Sequence, residues 1–116
     1  MGDQAIIHFT NGQEIGPAIY LHWDGYRVSE LLSKAQKVME GRIGDVPYTT
    51  ARAIGVACEM IPGSLSLGCW SGPEARDYEG GRKEITDPSY SHGCAGVFLV
   101  DCRTWEVENF NGYGFR

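Results

Sequence analysis

Three histidines and four cysteines hold most of the reactive chemistry of this 116-residue chain. His92 and Cys94 flank a single glycine, and a thiolate beside an imidazole can be a nucleophile with its base. Such dyads draw their two members from separate parts of a fold, and no oxyanion-hole motif accompanies this pair. No catalytic residue is therefore assigned, and the chain is read as a non-enzyme. His8, His22 and His92 have no metal-ligand spacing with Asp24 or Asp101, so no metal and no cofactor is expected. Cys58, Cys69, Cys94 and Cys102 form no C-x-x-C pair. Cys58 and Cys69 fall on apparent core faces, where a free thiol behaves as a small hydrophobe. Glu106 and Glu108 share one strand face and read as solvated carboxylates.

The run Tyr20-Leu21-His22-Trp23-Asp24-Gly25-Tyr26 is richer. It joins a strand to a helix, a place where functional groups collect. His22 there can meet a phosphate, a carboxylate or an amide. The plainer alternative is a structural corner, with Trp23 in the core, Asp24 capping the helix and His22 bonded to a loop. Strand alternation puts Tyr20 and His22 on one face and Leu21 and Trp23 on the other, so His22 and Trp23 should diverge. Trp70 lies off the face formed by Leu65, Leu67 and Cys69. It suits a stacking surface, an oligomer contact or a second small core under the following loop. Stacking on a nucleobase is worth about 1–3 kcal/mol. The candidate ligand- or partner-binding residues are Tyr20, His22, Asp24, Tyr26, Arg52, Trp70, Tyr90 and His92.

The elements that must position these residues follow from periodicity. Ala5 to Thr10 is a strand, and Asn11-Gly12 predicts a type I′ hairpin turn. The return strand runs to Trp23, with a bulge or an edge at Gly16-Pro17 because proline cannot donate to the ladder. Val28, Leu31, Leu32, Ala35, Val38 and Met39 form the apolar stripe of a helix, with Asp24 as its cap and Gly41 as its stop. A second helix starts at Asp45 and Pro47, is apolar nearly all round to Ile61, and ends at Pro62-Gly63. Leu65 to Trp70 alternates as a strand. Residues 71–94 are rich in Gly, Pro, Ser and mixed charge. They read as a long loop or flap, or as an unrecognised hairpin near Arg82 to Thr86. Gly96 to Val100 and Trp105 to Phe110 make a closing hairpin, and the tail from Asn111 to Arg116 reads as irregular.

The order ββααβββ predicts an α+β fold in one domain over residues 1–116. It has a mostly antiparallel sheet of about five strands, and two helices pack on one face. The other sheet face is then left for solvent or a partner. The charge balance of 15 acids against 10 bases, net −5, argues against non-specific nucleic-acid binding. The start has no basic region followed by an apolar run, and no stretch reaches the roughly 20 apolar residues of a membrane span. A cytoplasmic protein without membrane contact is expected, with reduced thiols.

The Tyr20-x-His22-Trp23-x-Gly25 run resembles a motif of small uncharacterised proteins of phages and mobile elements. In these proteins a hairpin ends in such a run and opens a helix. Pro47-Tyr48 with its nearby Ala-Arg pair, and Val100-Asp101 before the last turn, are also similar. The segment from Pro73 to Ser91 is longer than in that pattern. The resemblance implies a non-enzymatic accessory protein that acts by binding, as a homo-oligomer with a dimer first. Its target would be a host defence protein or a nucleotide-like small molecule. A small-molecule pocket built from Tyr20, His22, Trp70, Arg52 and the flap around Tyr90-His92 is the alternative. A small hydrolase using Cys94 or His92 is the third.

Overall fold

A computed structural model describes residues 2–63 and 65–115. Arg116, the last residue of the expected tail, lies outside the described residues. The strands are β1 (Ala5–Thr10), β2 (Ala18–Leu21), β3 (Leu67–Trp70), β4 (Gly96–Asp101) and β5 (Val107–Phe110). The α-helices are α1 (Val28–Val38), α2 (Val46–Met60) and α3 (Tyr78–Thr86). The strands form one sheet in the order β3-β2-β1-β4-β5. The pairings β1–β2, β2–β3 and β4–β5 are antiparallel, and β1–β4 is parallel. The α+β class and the mostly antiparallel sheet hold.

Both sheet faces are covered, which corrects the expectation of one free face. Ile7, Phe9, Ile19, Leu21, Phe98 and Val100 meet α1 and α2 in the main core. Ile6, Ala18, Val97 and Leu99 form a second core with Ile85 of α3, and Tyr20, Tyr90 and Phe110 pack against it. Burial on both faces explains why β1 and β4 are almost continuously apolar. The segment expected as a loop or hairpin contains α3. Asp77 caps it by accepting the Gly80 N–H at 2.8 Å. Gly80 and Gly81 weaken its helical signal by about 1 kcal/mol each. Gly81 is buried where a Cβ would lie 3.1 Å from Pro73 and 3.3 Å from Ile15, so the small residue lets α3 approach the sheet.

Three local expectations also change. Asn11 does not take a positive φ, so the first turn is not type I′. Instead Asn11 Oδ1 accepts the N–H groups of Gln13 and Glu14, each at 3.0 Å, and a Thr10–Ile15 bridge closes the loop. Asp24 makes no side-chain cap; it precedes a 3-10 turn at Gly25–Arg27, and Arg27 occupies the N-cap of α1. Cys58 and Cys69 are exposed rather than on core faces. The expected bulge is present. Phe9 pairs with Gly16 and Ile7 with Ile19, so His8 faces one residue too many. No helix among the described residues is long and apolar enough to cross a membrane.

Candidate functional site

The second sheet face positions an aromatic cluster at the β2–β3 end. Tyr20 stands in β2 opposite Gly68 of β3. Trp70 ends β3 on the same face. Its ring centroid lies 5.4 Å from Tyr20 and 5.8 Å from His92, nearly parallel to His92 at 24°. His92 is 5.1 Å from Tyr20. Rings this close fill the space between them, so the cluster is a packed platform rather than a cage, with Trp70 and His92 exposed at its surface. His22 extends it: the Tyr20 hydroxyl and His22 Nδ1 are 2.8 Å apart. Burial raises the Tyr20 pKa above its ordinary value, and the nearby Cys94 thiol adds to that shift.

An open groove of about 310 Å³ adjoins the platform. Tyr20, His22, Trp23, Leu65, Ser66, Leu67 and Gly68 line it, with no Arg, Lys, Asp or Glu. Trp23 was expected in the core, pointing away from His22. It is 49% exposed, its ring meets His22 edge-on at 4.6 Å, and its indole N–H donates to Ser66 Oγ at 3.1 Å. The alternation argument fails because β2 stops at Leu21, and the chain bends at His22 and Trp23.

A directed hydrogen-bond chain anchors the platform from below. His8 is fully buried. Its Nδ1 lies 2.9 Å from the Gly16 carbonyl, which only accepts, so Nδ1 carries the proton. Nε2 is then an acceptor, and the Tyr90 hydroxyl, 2.7 Å away, donates to it. The Tyr90 oxygen in turn accepts the Trp70 indole N–H, a donor-only group. Desolvation holds the His8 pKa below its ordinary value, so the ring is kept neutral. The bulge at Gly16-Pro17 supplies the carbonyl that sets this tautomer. No sequence motif marks this hydrogen-bond chain, although a histidine inside an apolar strand is the usual mark of such a partner.

The structure thus brings together Tyr20, His22, Trp70, Tyr90 and His92 from β2, β3 and the loop after α3. Asp24, Tyr26 and Arg52 are not part of the group. Asp24 approaches Arg27 at 4.0 Å and lines a small cleft against α1 and α2. Tyr26 is exposed and its N–H donates to Asp3. Arg52 lies on α2 beside Tyr48, across the sheet from the platform. Cys94 is exposed, adopts a φ of +51°, and donates to the Gly2 carbonyl at 3.4 Å. Among the described residues no hydrogen bond joins it to His22 or His92, and no group of three or more His, Cys, Asp or Glu is placed to hold a metal. Compared with protein-family models, curated proteins and solved structures, the chain gives no match in any of the three.

Proposed function

We propose that the protein is a non-enzymatic binding protein whose groove takes a planar, uncharged heteroaromatic ring, such as a nucleobase. The observation that carries this is the convergence of Tyr20, His22, Trp70 and His92, from separated segments, beside a groove without charged side chains. The exposed aromatic side chains Trp70, Trp23 and His92 supply stacking, and the Tyr20–His22 pair offers polar edges for orientation. The nucleotide-like ligand narrows accordingly: the base is held and the phosphate is not. The resemblance of the Tyr20–Gly25 run supports an accessory role in a phage or mobile element, directed at a host defence component. The same reading makes the chain cytoplasmic and a homo-oligomer.

A thermal-shift and native mass-spectrometry comparison of adenosine with inorganic phosphate tests the site. Adenosine should bind and raise the melting temperature, while phosphate leaves both unchanged. Trp70→Ala should weaken adenosine binding by about ten- to a hundredfold. A shift with phosphate but none with adenosine would remove this reading.

A further inference from the structure

The sheet has two edges, and they differ. β5 is guarded: Glu108 lies in the strand and pairs with Arg82 at 2.6 Å, with Glu106 just before it. Charges on an edge discourage strand addition. The opposite edge, β3, has no such guard, since every residue from 61 to 73 is uncharged. Its hydrogen-bond phase is also set. The His22 N–H donates to the Ser66 carbonyl at 3.3 Å, in register with Tyr20 opposite Gly68 and Ala18 opposite Trp70. That phase turns the N–H and C=O groups of Leu67 and Cys69 away from β2. Among the described residues nothing hydrogen-bonds to these outward groups. Leu65, Cys69 and Trp70 are exposed around them.

We infer that β3 pairs antiparallel with β3 of a second copy, joining two five-stranded sheets into one of ten strands. This rests on the reading of the chain as an oligomer-forming binding protein, and assigns the surface that does it. Self-pairing about a two-fold axis sets each residue against one from the same short segment, so a charge there would meet its like. An uncharged segment suits its own copy, on a chain whose net charge of −5 otherwise repels a second one. The outward phase allows Leu67 to face the partner's Cys69, or the two Cys69 to face each other. Trp70 then falls opposite the partner's Ser66 or Gly68, both of which line the groove. Each copy thereby extends the other's aromatic platform. In either register the two Cys69 Cα atoms lie within about 9 Å, from strand rise and spacing.

Analytical ultracentrifugation of the full chain from low to high micromolar concentration tests this. Cys69→Lys changes an exposed side chain and places like charges at the axis. The wild type should sediment as a dimer, and Cys69→Lys should raise its dissociation constant about a hundredfold or more while leaving the circular dichroism unchanged. A short bis-maleimide should crosslink Cys58→Ser/Cys94→Ser protein into a covalent dimer through Cys69. A dimer that survives Cys69→Lys, or fails to crosslink, overturns the edge pairing but leaves the oligomer. A monomer throughout overturns both. Failure of adenosine to bind would instead strike the ligand reading alone.

Discussion

Replacing His8 with alanine is expected to lower the stability of the fold by about 3 kcal/mol or more. The ring is fully buried in β1, the middle strand of the sheet, so its removal leaves a cavity that the strands cannot close. It also removes the acceptor of the Tyr90 hydroxyl and the donor to the Gly16 carbonyl. Tyr90→Phe should cost less, about 1–3 kcal/mol, because it leaves the volume filled, although Nε2 of His8 and the indole N–H of Trp70 both lose their partner. The wild type should also be pH-sensitive. The folded-state pKa of His8 is lowered by burial from its ordinary value of 6.5. The unfolded chain therefore binds the extra proton first, and stability falls as the pH drops below about 6.5. One proton sets the upper bound of that slope, about 1.4 kcal/mol per pH unit. Urea unfolding at pH 8 and pH 5.5 measures both effects, and His8→Ala should lose this part of the pH dependence.

Gly112→Ala should be comparably damaging, at about 3 kcal/mol or more, and should reach the site. A Cβ at Gly112 would overlap the carbonyl group of Ala95 and the nitrogen of Gly96. Backbone atoms in a buried strand start cannot step aside as a side chain would. Gly96, itself at a φ of +90°, lies as close from the other side: a Cβ there would stand 2.8 Å from the Gly112 Cα. The two glycines let the tail cross the start of β4, where the N–H groups of Tyr113 and Gly114 donate to Cys94 and Ala95. Those bonds fix the loop that carries His92. The substitution should therefore lower the melting temperature and weaken adenosine binding together. Asn111→Gly, which suits the positive φ of 57° at this position and removes an exposed side-chain bond to Thr86, should do neither to the same degree.

Periodicity located the elements whose apolar residues face one partner. α1, α2, β1 and β4 lie where their stripes and runs place them. The parallel β1–β4 pairing was not legible, because strand order depends on which face each connection crosses. α3 was hidden by its paired glycines, which serve close packing at the expense of helix propensity. Asp77 before it and Pro88 after it were the available marks of its ends. Among site residues, Tyr20, His22, Trp70, Tyr90 and His92 are marked by residue type in the sequence and converge in the fold. Arg52 was grouped with them by type alone, and the sheet separates it from them. Trp23 is not legible from alternation, because β2 ends at Leu21 and the chain bends before it. Cys69 looked like a core residue because its strand alternates, yet the strand is an edge with a face not fully covered.

The groove and the Trp70 platform beside it, proposed to take a planar ring, have one direct test. The indole N–H signals of Trp23, Trp70 and Trp105 in a proton–nitrogen NMR spectrum, followed during an adenosine titration, provide it. Trp23 lines the groove, Trp70 forms the platform, and Trp105 packs edge-on against Phe9 in the main core, which makes it an internal reference. The Trp70 and Trp23 signals should move in a saturable way while Trp105 stays fixed. Stationary Trp70 and Trp23 signals at saturating solubility of the ligand would contradict the account.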